Sequence, residues 1–243
     1  MRVAIAGGTG TVGRFLAQRL QDAGHEPVVL ARAHGVDLVR GADIDLGGVA
    51  CVVDVTGIRT LSARRSRRFF TAVTANLLAA ERAAGVGHHV ALSIVGAAGA
   101  PYGYYAGKAA QERAVRAGGV PWTILRSTQF FEFAAQTAVP AGRMLLHPVM
   151  RSRPVAADTV AARLVELVDA GPSGAVGDLA GPEEVRMADV LRAALAARGD
   201  TRRVAEFRLP GGFGRAVRDG RTLPSSDADL RGPGLAAWAE AQA

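Results

Sequence analysis

The chain opens with a short apolar run, Arg2–Ala6, that passes directly into Gly7-Gly8-Thr9-Gly10-Thr11-Val12-Gly13. A helical pattern follows at once. Val12, Phe15, Leu16, Leu20 and Ala23 recur at helix spacing, and Gly24 stands where a C-terminal cap belongs. A strand, a glycine turn and a helix in this order leave backbone N–H groups free at the start of the helix, with no Cβ to hold an anion away. Gly7-x-x-Gly10-x-x-Gly13 therefore predicts a cradle for the pyrophosphate of a dinucleotide. The third glycine lets the helix pack closely on the strand.

The alternation continues along the chain. Residues 26–31 and 49–55 read as strands, joined by the polar, glycine-bearing stretch 41–48. Phe70, Val73, Leu77, Ala80 and Ala84 mark one face of a long helix that Gly85 ends. A strand over 89–94, a tyrosine-rich helix over 104–117 and a strand over 122–126 follow. This order predicts an α/β fold, a Rossmann-type doubly wound parallel sheet with helices on both faces and right-handed crossovers. Beyond about residue 127 the pattern loosens. Residues 129–138 read as helical, Asp158 as the cap of a helix carrying Val160, Leu164, Leu167 and Val168, and 187–198 as a further helix, while the tail from Pro210 carries little periodicity. The expectation is a single dinucleotide-binding domain over residues 1–243, the part after about 127 forming a small C-terminal lobe that covers substrate.

Composition agrees with one folded unit, since 243 residues at 49% hydrophobic and 21% charged can bury a sizeable core. No apolar run approaches the roughly 18–20 residues of a membrane span, and the first apolar stretch is too short for a signal peptide. The lone Cys51 suits a reducing compartment, so a soluble cytoplasmic protein is expected. The net charge of +7 comes from scattered arginines. The dense group Arg64, Arg65, Arg67 and Arg68 reads as the wet side of a helix start, so no nucleic-acid partner is expected. His25, His34, His88, His89 and His147 lack metal-ligand spacing, and no metal is expected.

Two further places point to chemistry. The second strand ends in Ala31-Arg32 with no acid until Asp37. A guanidinium there suits a 2′-phosphate, which favours NADP(H) over NAD(H), the alternative being an ordinary surface arginine. Lysine occurs once, at Lys108, and all three tyrosines, Tyr102, Tyr104 and Tyr105, lie within six residues of it. Tyr104 and Lys108 are one helical turn apart. An ammonium beside a phenol favours the phenolate and lowers its pKa, as an acid–base pair requires. The alternative is a core tyrosine with a snorkelling lysine. Tyr105 is a rival for the same role. Gln129, Phe130, Phe131 and Phe133 follow a strand end, where open sheets bind ligands. Phe130, Phe131 and Tyr105 are therefore candidates to line an apolar substrate, with Met144 and Met150 behind them.

Gly7–Gly13, Ser93, Tyr104-x-x-x-Lys108 and the run Trp122-Thr-Ile-Leu-Arg-Ser-Thr-Gln-Phe130 resemble the short-chain dehydrogenase/reductases, within them the NmrA-like or NAD(P)H-binding atypical branch. The resemblance spans roughly residues 1–200. It implies a Rossmann sheet with substrate between it and a C-terminal lobe. Thr9, Gly10, Thr11 and Val12 would hold the pyrophosphate, Arg32 the 2′-phosphate, and Thr56 and Gly57 the adenosine side. Ser93, Lys108 and Gln129 would lie around the nicotinamide. A catalytic set of Ser93, Tyr104 and Lys108 follows, with Asn76 either holding a relay water or bonding helix backbone. The expected function is NADPH-dependent reduction of a carbonyl or quinone-like group on an apolar small molecule. The alternatives are a non-catalytic NADP(H)-sensing regulator and a cofactor-retaining isomerase or epimerase. Monomer and homodimer both remain open.

Overall fold

The structure is a computed structural model describing residues 1–100 and 102–242. Arg2–Ala6 (β1), Thr11–Asp22 (α1), Glu26–Leu30 (β2), Val49–Asp54 (β3), Ala63–Ala84 (α2), His88–Ile94 (β4), Gly103–Ala117 (α3) and Trp122–Ser127 (β5) form the first half. Then come Phe133–Thr137 (α4), Val139–Ala141 (β6), Met144–Pro148 (β7), Arg151–Ser152 (β8), Ala157–Ala170 (α5), Gly174–Ala175 (β9) and Leu179–Ala180 (β10). Val185–Arg186 (β11), Met187–Ala197 (α6), Arg203–Phe207 (β12), Gly211–Arg218 (α7), Asp229–Leu230 (β13) and Leu235–Glu240 (α8) complete the chain. The main sheet runs β13-β10-β5-β4-β3-β1-β2, with β9 also beside β5, and all of its pairings are parallel. The chain goes one way from β1 to β2 and the other way through β3, β4 and β5. The order therefore reverses at β1, and the crevice at the carboxyl ends of β1 and β3 is the place where such sheets bind ligands.

Strand alternation divides the side chains between two faces. Val3, Ile5, Cys51, Val53, Val90 and Leu92 face α1 and α5, packing on Leu16, Leu20, Val160 and Leu164. Ala4, Ala6 and Val52 face α2, against Val73 and Leu77. The second face also carries polar groups, Asp54, His89, Ser93 and Arg126, because each falls on the same parity as these residues. α2 begins at a Ser62 cap whose hydroxyl accepts from the Arg65 amide, and it ends at Gly85 in a left-handed conformation, φ 70°. Arg64, Arg65, Arg67 and Arg68 are exposed, as a wet helix start requires.

Three local expectations change. The helix over 129–138 shrinks to α4, because Phe130 forms a parallel bridge with Val155, held by Val155 N–H to Gln129 O at 3.0 Å and Phe131 N–H to Val155 O at 3.2 Å. Asp158 is not the cap of α5, which Ala156 occupies. It sits in the first turn, where Arg19 Nε donates to Asp158 Oδ1 at 2.6 Å and ties α1 to α5. The tail is ordered into α7, β13 and α8. There Trp238 stacks on Phe131 with ring centroids 4.8 Å apart, closing a second hydrophobic cluster with Leu145, Met150, Met187, Leu191 and Val217.

The two histidines at the start of β4 are buried in the sheet. His89 and Glu81 of α2 are both fully buried and hydrogen-bonded, Nδ1 to Oε1, at 2.7 Å. Burial opposes a charged imidazole, but the bond to Glu81, its charge and the field of Asp54 outweigh it and raise the His89 pKa. Such a group contributes stability at low pH that fades as pH rises through the raised pKa. Glu81→Ala strands this imidazole and is expected to cost about 3–5 kcal/mol. Glu26→Ala, which removes the exposed partner of Arg2, is expected to cost less than about 1 kcal/mol. Urea midpoints of the two variants check the contrast.

Candidate functional site

The glycine turn lies where the sheet order reverses. Gly7 takes φ +84°, and a Cβ on it would stand 3.1 Å from Thr56 Cα at the end of β3. A Cβ on Gly8 would meet Val29 of β2 at 2.8 Å, and one on Gly13 would fall 2.4 Å from Gly7 O. The turn is thus threaded between the ends of β2 and β3, with α1 seated directly on it. Gly10 is the N-cap of α1 and supplies no side-chain hydrogen bond, and the first turn carries no acid. The leading N–H groups of α1 are left to an anion. Thr9 and Gly10 are exposed and Thr11 is half-buried, while the Val12 side chain belongs to the core, so only its backbone can face a ligand. The Thr56 hydroxyl is buried beside Gly7 without a hydrogen-bond partner among the described residues. A cradle that any Cβ would fill, free N–H groups and an orphaned hydroxyl fit a dinucleotide pyrophosphate.

Lys108 lies beneath the same end of the sheet, almost fully buried. Its ammonium donates to Leu92 O at 2.8 Å, to Thr56 O at 3.2 Å and to Gln111 Oε1 at 2.9 Å, and it stands 4.3 Å from the centre of the Phe70 ring. Burial lowers its pKa to about 8, against the opposing fields of Asp54 and Glu112. Tyr104 is partly buried, its ring edge-on to Phe70 with centroids 5.4 Å apart. A Cβ on Gly57 would lie 3.7 Å from the Tyr104 hydroxyl, so the backbone after β3 borders the phenol. The expected lowering of this phenol is reversed. Burial raises its pKa, helped by the fields of Asp54 and Tyr105. The ammonium is directed at carbonyl oxygens and Gln111, 5.9 Å from the centre of the Tyr104 ring, and does not offset burial.

Several candidates serve other purposes. Ser93 donates to Glu112 Oε1 at 2.7 Å, and Arg126 holds the same carboxylate through Nε at 2.8 Å and Nη2 at 2.6 Å. Ser93 pairs in register with Arg126 on the face beneath α3, so its hydroxyl is spent inside the fold. Tyr105 is buried against Phe213, and its hydroxyl accepts from Gln129 Nε2. Gln129 Oε1 accepts in turn from Ser152, which leaves that amide facing the lobe. Phe131 and Met150 are core of the second cluster, whereas Phe130 and Met144 keep exposed surface. Asn76 neither bonds its own helix nor reaches the site. Its amide donates to Leu38 O at 2.9 Å and Val39 O at 3.0 Å, pinning the connection after β2. Arg32 follows β2 and is exposed, its side chain without a hydrogen bond or ion pair among the described residues.

Two residues at the site were not singled out from the sequence, Asp54 and Gln111. Gln111 Nε2 donates to Asp54 Oδ2 at 2.7 Å, and Asp54 Oδ1 accepts from the Thr56 amide at 2.8 Å. The available signals were an acid inside an otherwise apolar strand and a glutamine three residues after the only lysine. Gly13→Ala tests the cradle. The added methyl must displace Gly7 O, and overpacking of this kind costs about 1–3 kcal/mol. Fluorescence titration with NADPH is expected to show an affinity about tenfold or more weaker.

Comparison with known proteins agrees with this arrangement. The model of the NAD(P)H-binding family matches residues 7–170. A (4-alkanoyl-5-oxo-2,5-dihydrofuran-3-yl)methyl phosphate reductase from Streptomyces griseus subsp. griseus is 30% identical over 205 residues, covering 75% of this chain and 69% of the relative. Among solved structures, UDP-glucose 4-epimerase from Bifidobacterium longum, in complex with NAD+ and UDP, superposes with a TM-score of 0.76 at 13% identity over 100% of this chain and 97% of that one. The UDP-Glc/GlcNAc 4-epimerase from Campylobacter jejuni gives 0.71 at 14% identity over 99% and 97%. At such identity the structures speak for the fold alone, a Rossmann-type sheet. The glycine cradle, the sheet order and the matched family model together place this chain in the NAD(P)H-binding family, the NmrA-like atypical branch of the short-chain dehydrogenase/reductases.

Proposed function

We propose that the protein is an NADPH-dependent reductase of a carbonyl or quinone-like group on an apolar small molecule. The observation that carries the reading is the Tyr104 hydroxyl beside Gly57, at the ligand-binding end of the sheet, with Lys108 one turn along the same helix. The Streptomyces relative supports it, being a named reductase whose substrate bears alkanoyl and oxo groups. In this reading α1 and Gly7–Gly13 hold the pyrophosphate, Thr56 and Gly57 border the adenosine side, and Arg32 meets the 2′-phosphate. When bound, the reduced nicotinamide supplies a hydride to the substrate carbon. Tyr104 donates the proton to the substrate oxygen. Burial keeps the phenol protonated, which is the state a donor needs. Lys108 lessens the cost of the phenolate that is left. Ser93 stays with Glu112 and takes no part, so Ser93, Tyr104 and Lys108 reduce to a working pair. The segments after residue 127 that leave the main sheet cover the substrate, with Phe130 as their apolar wall.

A second reading, binding of NADP(H) without turnover, draws on the same hydrogen bonds. Ser93 is spent on Glu112, and all three donors of the Lys108 ammonium are spent on the protein. NADPH absorbance followed over a panel of ketones and quinones separates the two. A reductase is expected to oxidise NADPH with at least one of them. Tyr104→Phe is then expected to lower kcat by about 10²–10⁴-fold, the usual worth of a general acid, while Tyr105→Phe and Ser93→Ala stay within about tenfold of wild type. NADPH binding with no oxidation throughout, and no effect of Tyr104→Phe, would establish the second reading. Arg32→Glu is expected to weaken NADPH about tenfold or more and to leave NADH unchanged.

A further inference from the structure

Lys108 is held by a closed ring of hydrogen bonds. Asp54 Oδ1 accepts from the Thr56 amide, Asp54 Oδ2 accepts from Gln111 Nε2, Gln111 Oε1 accepts from Lys108, and Lys108 also donates to Thr56 O. Asp54 and Gln111 are fully buried and Lys108 is 3% exposed. A glutamine amide has a donor end and an acceptor end, and here each end has one permitted orientation. Asp54 Oδ2 accepts, so the NH2 group turns to Asp54. The ammonium only donates, so the carbonyl turns to Lys108. A flipped amide would set NH2 against NH3+ and oxygen against carboxylate. The acceptors come from the turn after β3, from β4 and from α3, arranged around one nitrogen. A planar guanidinium cannot place its donors on all three, which accounts for the only lysine in a chain otherwise supplied with arginine.

Resting on the functional reading above, we propose that Asp54 and Gln111 are positioning residues for Lys108. Asp54 orients the Gln111 amide, and the amide holds the ammonium charged and fixed beneath the end of the sheet where the cofactor binds. The groups around the ammonium are few. β3 presents Asp54. α3 presents Glu112, already paired with Arg126, and the Tyr104 ring. α2 presents Phe70, its Glu81 being bonded to His89 of β4. Among the described residues, Asp54 is thus the one carboxylate acting on Lys108 that is not itself bonded to another cationic side chain.

The single lysine makes the test direct. Protein labelled with 13Cε-lysine gives one lysine resonance, and its pH titration reads Lys108 with no need for turnover. Asp54→Asn keeps the shape and removes the charge, so the midpoint is expected to fall by on the order of one pH unit. Gln111→Met keeps the bulk and removes the acceptor, so the midpoint is expected to fall as well, by a smaller amount. The alkaline limb of NADPH affinity against pH is expected to move with each midpoint. A fall in both variants is not produced by general loosening of the fold, which would admit water and raise a midpoint that burial has lowered. If wild type binds NADPH and neither variant moves the midpoint, the inference is overturned. It is overturned equally if the midpoints move while the affinity limb stays in place. Wild-type protein with no affinity for NADPH would instead overturn the functional reading.

Discussion

The structure turns on one steric fact, that no Cβ fits where α1 meets the turn after β1. With hydrogen alone on Gly13, the helix axis can start on top of Gly7 and Gly8, and its leading N–H groups open toward the crevice between β1 and β3. The same contact sets the height of α1 above the sheet. It thereby sets the depth at which Leu16 and Leu20 meet Ile5 and Val53, and the position from which Arg19 reaches Asp158 on α5. The binding end and the largest core cluster share this origin.

The opposite face is of another kind. Under α1 and α5 the sheet is mostly apolar, its buried His88 bonded to Thr123 at 2.9 Å, whereas under α2 and α3 it carries Asp54, His89, Ser93 and Arg126. Each of these is matched, Asp54 with Gln111 and Thr56, His89 with Glu81, and Ser93 and Arg126 with Glu112. Unpaired polar groups at these depths would be costly, while paired ones fix register and orientation. One consequence is that α3 is held to the sheet by directional bonds along much of its length, so the phenol and the ammonium it carries are placed with little freedom.

The glycine turn, the five leading strands and the long amphipathic helix were legible because each is a local pattern, read over six to twenty residues. The placing of Tyr104 and Lys108 one turn apart on one helix was legible as a spacing, and their surroundings were not. That Ser93 would be taken by Glu112, or Gln129 by Tyr105 and Ser152, depends on pairings across 19 to 24 residues that no local window contains. Phe131 looked like a wall and is core, since its partner Trp238 lies in a tail whose glycines and prolines hide two short helices. Asn76 and Asp158 were read for chemistry and capping, as their residue types invite, and the structure uses both as long-range ties.

The route of the chain beyond β5 bears on how the protein can move. It leaves the sheet after Ser127, returns at Gly174 beside Thr123 and runs on to Leu179 beside Ser127; it leaves again and returns at Asp229 beside Leu179. Both excursions are therefore sewn back to a single edge. A flap fastened along a seam, unlike one hung from a lone linker, cannot swing wide. Displacement of α7 over α3, where Phe213 meets Tyr105, is limited to sliding of packed surfaces, a shear rather than a hinge.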